Sequence, residues 1–210
     1  MSNPINKSHW YDGLFYDVFI APNQDRLFLQ IKDLIEPDST VIDVGCGTGR
    51  LSFLIADKVS RVVGIDLSEK NIDRANKNLE RNPDQKISFF HTDISSLIEK
   101  GEKFDYAVMT YVIHEVNENE RVELLKQLSQ IADKIIIGDY LVPKPDGFWS
   151  ILNEVIEFLA GSEHYNNYKN YVSNGGIIAL VDKAGLKIIN ESKNKPFTSH
   201  LVVLSNNFNK

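Results

Sequence analysis

Apolar residues recur along this chain in two alternating rhythms. Val41-Ile42-Asp43-Val44, Arg61 to Asp66, Ile87 to His91, Phe104 to Met109 and Lys134 to Asp139 are short runs dominated by β-branched and aromatic side chains. Such runs predict buried strands. Between them the apolar positions fall at helical spacing. Leu27, Phe28, Ile31, Leu34 and Ile35 form one face, closed by Pro37-Asp38. Leu51 to Ala56 carry a second helix. Ile72, Ala75 and Leu79 follow Ser68, a natural N-cap, and stop at Asn82-Pro83-Asp84. Val122, Leu125, Leu128 and Ile131 follow Asn117 and Glu120, a pair that resembles a capping box. Strands alternating with helices predict a mostly parallel sheet covered on both faces.

The rhythm changes after residue 140. Pro143, Pro145 and Gly147 mark a loop, and Ile151, Leu152, Val155, Ile156 and Leu159 predict a helix ending at Gly161. Residues 163–171 are polar and aromatic without clear periodicity, which reads as an insertion on the ligand side of the sheet. A helix over 176–184 stops at Gly185. Two last strands, 186–191 and 200–204, are joined by a short turn containing Pro196. A link that short suits a hairpin, so one closing strand should run antiparallel. At the other end, residues 9–19 hold Trp10, Tyr11, Phe15 and Tyr16. They read either as a lid packed on the core or as a flap over a ligand.

Composition narrows the class. A chain of 210 residues is long enough for one domain with a substantial core. Its formal charge of -6 gives no overall pull towards nucleic acid or an anionic membrane. Cys46 is the single cysteine, which excludes an internal disulfide and paired-thiol metal or redox chemistry. The sequence has no apolar run of membrane-spanning length and no signal-peptide core at its start, so a cytoplasmic location is expected.

The most informative stretch is Val41 to Arg50. A strand runs into Gly45-Cys46-Gly47-Thr48-Gly49, and a helix follows. Glycines let backbone approach a ligand closely, and a helix start offers free N–H groups. The spacing is G-x-G-x-G rather than the G-x-G-x-x-G of dinucleotide sites. Asp43 stands two residues before the first glycine, where a carboxylate would repel a pyrophosphate and favour a cationic ligand. A second carboxylate, Asp66, ends the next strand.

With Thr92-Asp93-Ile94 after the third strand and Phe104-Asp105 opening the fourth, this pattern resembles the class I S-adenosylmethionine-dependent methyltransferases. The resemblance implies an α/β, Rossmann-like sheet of seven strands, mostly parallel with one antiparallel strand and helices on both faces. It implies a single methyltransferase domain over 1–210, with an N-terminal flap at about 9–20 and a substrate cap at about 141–175. It also assigns roles. Gly45, Cys46, Gly47 and Gly49 would pass beside the methionine part of S-adenosylmethionine, with Asp43 near its ammonium. Asp66 would accept from the ribose hydroxyls, and Leu67 would pack on the adenine. Asp93 would accept from the adenine amine, with Ile94 beside the ring. Thr110 and Tyr111 would line the sulfonium, and Tyr16 would close over the carboxylate end.

The resemblance further implies methyl transfer, with S-adenosylhomocysteine as product. Residues 109–116 lack the Asn/Asp-Pro-Pro-Tyr signature of adenine and amide methyltransferases and resemble the type 11 and type 12, small-molecule branch. The expected acceptor is a small-molecule N, O or C nucleophile; a catalytically inactive binding module and a protein or RNA methyltransferase are the alternatives. His114, with an ordinary pKa near neutral, is the candidate general base. Glu115 reads as a solvated or structural residue, and Asp139 with Tyr140 could face the substrate. No His, Asp or Glu cluster has metal-ligand spacing along the sequence, so no metal is expected. Trp10, Phe15, Tyr16, Phe148, Trp149, Tyr165, Tyr168 and Tyr171 are candidate pocket aromatics or core. A monomer or homodimer is expected.

Overall fold

The β-branched run before the glycine turn forms a strand because its side chains fill both faces of a covered sheet. A computed structural model describes residues 21–159, 161–195 and 198–206. By compactness these fall into two units, Met1–Val108 and Met109–Lys210. In the first, α1 (Ala21–Leu34) leads into β1 (Thr40–Val44). Then come α2 (Arg50–Ile55), β2 (Arg61–Asp66), α3 (Glu69–Arg81), β3 (Ile87–His91) and α4 (Ile94–Glu99). The strand β4 (Phe104–Thr110) crosses the boundary.

β1 runs parallel to β2, with Asp43 opposite Gly64, and β2 runs parallel to β3, with Gly64 opposite Phe89. Val41, Ile42, Val62, Val63 and Ile65 are buried, with Leu27, Ile31 and Ile55 from the helices. Each such side chain contributes about 1.5–3 kcal/mol. Ser68 caps α3 by accepting from the Asn71 N–H, as its position predicts. At the open end of β1, Asp105 accepts from both the Thr40 N–H (2.7 Å) and its hydroxyl (2.8 Å).

The second unit contains α5 (Glu118–Ile131), β5 (Ala132–Tyr140), α6 (Phe148–Leu159), α7 (Ser162–Ser173) and α8 (Gly176–Ala184). It closes with β6 (Leu186–Asn194) and β7 (Ser199–Asn206), β7 lying antiparallel to both β5 and β6. The strand order is β3-β2-β1-β4-β5-β7-β6. This is the expected seven-stranded sheet with β7 as its antiparallel strand. The expected flap at 9–20, including Trp10, Tyr11, Phe15 and Tyr16, lies outside the described residues, as does Pro196.

Four local expectations change. Residues 163–171 form the helix α7, not an irregular insertion. Its buried face is His164, Tyr168 and Tyr171, at spacings of four and three, so the helical period is carried by polar aromatics rather than aliphatics. Asn117 begins α5 without a side-chain capping bond, and the Glu120 N–H reaches its backbone carbonyl instead. On α5 the buried companion of Leu125 and Leu128 is Arg121, and Val122 is only half-buried. On α6 the expected apolar face is only partly covered: Ile151, Val155 and Leu159 are exposed and Leu152 and Ile156 half-buried, while Ser150 and Glu157 are buried.

Candidate active site

The first unit builds a cradle from the end of β1, the glycine turn and the end of β2. Gly45 (φ 71°), Gly47 (φ 54°) and Gly49 (φ 86°) all adopt left-handed conformations that side-chain-bearing residues avoid. The turn is held from behind by the Ile65 carbonyl, which accepts from the N–H groups of Gly45 (2.8 Å) and Cys46 (3.0 Å). Asp66 locks it from the side. One carboxylate oxygen accepts from the Gly47 N–H at 2.9 Å, and the other from the Ser68 N–H at 2.8 Å. Oδ1 also accepts from Asn71 Nδ2 at 3.5 Å.

A Cβ built on Gly47 would meet nothing within 4 Å, whereas one on Gly49 would strike the Phe89 ring at 2.5 Å. The two glycines therefore serve different ends. Gly49 makes room for the scaffold, and Gly47 faces open space that a ligand can enter. Asp43 is fully buried and accepts from the Ser52 hydroxyl at 2.7 Å. Burial, opposed by that bond and reinforced by the Asp66 charge, raises its pKa to about 6. Cys46 is buried, and burial together with the two aspartates pushes its thiol well up, so it packs as a small apolar group rather than a nucleophile.

Asp93 caps α4, accepting through Oδ1 from the Ser96 N–H and hydroxyl, each at 3.0 Å. Ile94 is buried as the first residue of that helix. Leu67 follows Asp66, and its carbonyl lies 3.1 Å from His91 Nε2. The cradle thus brings together Asp43, the glycines, Asp66 and Leu67, while Asp93 and Ile94 sit at the end of the neighbouring strand.

The second unit holds a different kind of site. Tyr111, just past β4, adopts a left-handed conformation (φ 55°), held by its N–H to the Gly138 carbonyl at 2.7 Å. Strained backbone of this kind persists only where its surroundings fix it. Burial raises the Tyr111 phenol to about 12. His114 is buried and places Nδ1 2.8 Å from Asp139 Oδ1 and Nε2 3.6 Å from Glu157 Oε1. Glu157 Oε1 accepts from the Tyr140 hydroxyl at 2.6 Å, and its Oε2 lies 2.7 Å from His164 Nε2. Glu115 Oε1 stands 3.5 Å from the same nitrogen. The rings of Tyr140, His164, Tyr168 and Tyr171 pack edge-on around His114.

Burial alone would lower the His114 pKa, but Asp139 and Glu157 outweigh it and raise the value to about 9. The two neighbouring carboxylates thus favour the protonated ring. Desolvation raises Glu115 to about 7. Arg121 fastens this region. It donates to the carbonyls of Val116, His114 and Asn167 and to Asn170 Oδ1 at 2.7–3.2 Å, with its guanidinium over the Tyr171 ring.

Sequence reasoning missed Glu157, His164 and Arg121. The available signal was polar residues at core positions of otherwise regular helices. Among the described residues no helix is long and apolar enough to cross a membrane.

Residues 41–134 match the methyltransferase domain family. A protein of Methanocaldococcus jannaschii, provisionally named a ribosomal RNA large subunit methyltransferase, is 31% identical over 105 residues; the match takes in 47% of this chain but only 27% of that protein. An uncharacterised methyltransferase of Staphylococcus carnosus is 26% identical over 191 residues, covering 86% of this chain and 84% of the relative. Among solved structures, magnesium protoporphyrin IX methyltransferase from Synechocystis PCC 6803 with bound SAH superposes with a TM-score of 0.65 at 19% identity, covering 96% and 91% of the two chains. The matched segment, the glycine turn and the strand order make this chain similar to the class I S-adenosylmethionine-dependent methyltransferases.

Proposed function

We propose that the protein transfers a methyl group from S-adenosylmethionine to a small-molecule N, O or C nucleophile, as in the type 11 and type 12 branch. The observation that carries the cofactor side is the glycine turn, in which Asp66 holds the Gly47 N–H while Gly47 faces open space. In this reading Asp66 accepts from the ribose hydroxyls, Leu67 and Ile94 flank the adenine, and Asp93 accepts from its amine. Asp43 and Gly45, Cys46 and Gly49 shape the methionine end. The exit of β4 supplies two further candidates, Thr110 and Tyr111. The bound cofactor would supply a methyl group already activated on sulfur, so the protein's main task is alignment. A base is needed only where the acceptor must lose a proton, and His114 is the candidate for that role.

The helices α6 and α7 support a substrate cap at about 141–175, within one methyltransferase domain over 1–210. Phe148, Ile151, Val155 and Phe158 give the cap an exposed apolar surface that suits an apolar or planar acceptor. The buried, unpaired thiol of Cys46 is consistent with a reducing, cytoplasmic setting. A second reading, RNA methylation, draws on the name of the archaeal relative. The net charge of -6 opposes it. Calorimetry with S-adenosylmethionine and S-adenosylhomocysteine tests the cofactor site, and no binding at high micromolar concentration would refute the proposal. Labelled-methyl transfer onto small-molecule extracts and onto RNA then separates the readings. Transfer to RNA alone favours the second, and cofactor binding without transfer to either favours an inactive binding module.

A further inference from the structure

The cluster around His114 contains buried polar atoms that its hydrogen bonds do not account for. His114 Nε2 and Glu157 Oε2 are buried without a hydrogen bond of acceptable geometry. Leaving a buried polar atom unsatisfied costs about 1–3 kcal/mol, and such atoms are uncommon in folded proteins. These two face the same group of side chains. One ring nitrogen each of His114 and His164 and a Glu115 carboxylate oxygen lie within 4.8 Å of one another; Glu157 stands with Oε1 3.6 Å from His114 Nε2 and Oε2 2.7 Å from His164 Nε2.

We propose that His114 Nε2, His164 Nε2 and Glu115, with Glu157 at the fourth position, bind a divalent first-row transition-metal cation of the Zn2+ class. The donor set is two imidazole nitrogens and carboxylate oxygen, which suits Zn2+ and its neighbours. Metal–ligand bonds of about 2.1 Å place tetrahedral ligands about 3.4 Å apart. The separation of 3.5 Å from His164 Nε2 to Glu115 already matches that edge, as does the 3.6 Å from His114 Nε2 to Oε1 of the Glu157 carboxylate, whose Oε2 is the oxygen nearer His164. The shorter 2.7 Å separation must open by less than an ångström.

The surroundings of the ligands support the same assignment. Metal-binding histidines characteristically donate their second ring N–H to a carboxylate, which fixes the tautomer and aims the other nitrogen at the ion. His114 Nδ1 stands 2.8 Å from Asp139 Oδ1, so Nε2 is the nitrogen turned into the cluster. The Tyr140 hydroxyl donates to Glu157 Oε1, which leaves Oε2 directed at His164. The charge also balances, since the Glu115 and Glu157 carboxylates would neutralise a divalent ion. Sequence spacing could not reveal this set, because its members come from the loop after β4 and from two separate helices. The assignment stands apart from the methyltransferase reading and involves none of the cofactor cradle.

The test is metal binding by the full-length, tag-free protein. After treatment with a chelator it is titrated calorimetrically with Zn2+, and the dialysed protein is analysed for bound metal. Co2+ is added separately, with the visible absorption of a low-coordinate site as the readout. One equivalent of Zn2+ is expected. Glu115→Gln and His164→Asn should each weaken it at least tenfold, and Asp139→Asn should weaken it about 10–100-fold by releasing His114. Glu191→Gln, which alters the distant Glu191–His200 pair, should leave binding unchanged. Circular dichroism melts identify any ligand variant that fails to fold, and Glu115, being part-exposed, is the substitution least disruptive to packing. Sub-stoichiometric binding by wild type, or binding equal in wild type and a folded Glu115→Gln/His164→Asn double variant, would overturn the proposal.

Discussion

Replacing Asp43 by Asn tests the electrostatics of the cradle directly. Asp43 is buried, accepts one hydrogen bond from Ser52, and has its pKa raised from 3.8 to about 6, chiefly by burial. A carboxyl whose folded pKa lies above its unfolded value weakens folding as it ionises. Below pH 4 it is protonated in both states and costs nothing. Between pH 4 and 6 the folded state holds the proton more tightly, so stability falls as pH rises. Above pH 6 the full cost applies, about 3 kcal/mol for the rise from 3.8 to about 6. Asn keeps an oxygen for the Ser52 hydroxyl but cannot ionise. The stability of Asp43→Asn relative to wild type should therefore climb by about 3 kcal/mol from pH 4 to pH 7 and then level off.

Urea denaturation of the cofactor-free protein at several pH values measures this. An unpaired Asn amide would add a constant offset, so the slope with pH is the quantity that decides. A difference that stays flat across pH 4–7 would refute the argument. The same variant should bind S-adenosylmethionine more weakly.

Three further outcomes follow from the geometry. Asp66→Ala removes the acceptor for the Gly47 and Ser68 N–H groups and should lower S-adenosylmethionine affinity by about 1–3 kcal/mol in calorimetry; unchanged affinity would show that Asp66 does not hold the ribose. Gly64→Ala would bring a Cβ within 2.5 Å of Phe89 and 2.9 Å of Cys46 Sγ, costing about 1–3 kcal/mol in urea denaturation. Much of that loss should return in a Phe89→Leu background, and its absence in the double-mutant cycle would exclude the ring as the cause. Arg121→Lys keeps the charge but cannot reproduce four directed hydrogen bonds, so it should cost about 2–4 kcal/mol and speed amide exchange in α7; a change under 0.5 kcal/mol would show the guanidinium to be incidental.

The sheet and the cradle were legible because they rest on signals that do not depend on partners. Val41 to Val44 must be buried wherever they lie, and Gly45, Gly47 and Gly49 are required by backbone angles alone. Asp66 was legible from its place at a strand end, although its bond to Gly47 was not. The cluster around His114 was not legible. Its residues are polar, and polar residues at 157 and 164 look like the solvated side of a helix until the chain around them is known. Apolar residues on α6 point outward for the same reason, since counting hydrophobics assigns the face and cannot see that Glu157 has the Tyr140 hydroxyl to bond and His164 beside it. Arg121 shows the same limit: only the carbonyls of His114, Val116 and Asn167 make its burial tolerable.

The sheet's last strand, β6, bears on how the molecule behaves in a crowded solution. A terminal strand exposes a row of unpaired backbone groups on which another chain could polymerise. Here that strand carries Lys187 and Lys193 with exposed Asn190 and Glu191, and its pairing is broken by an irregularity between Ile188 and Asn190. Charge and a local twist are two devices that discourage a second sheet from adding to such an edge. Ile189, half-exposed at the irregularity, is the one apolar contact the edge still offers. Straightening the strand would turn a guarded border into a template for aggregation.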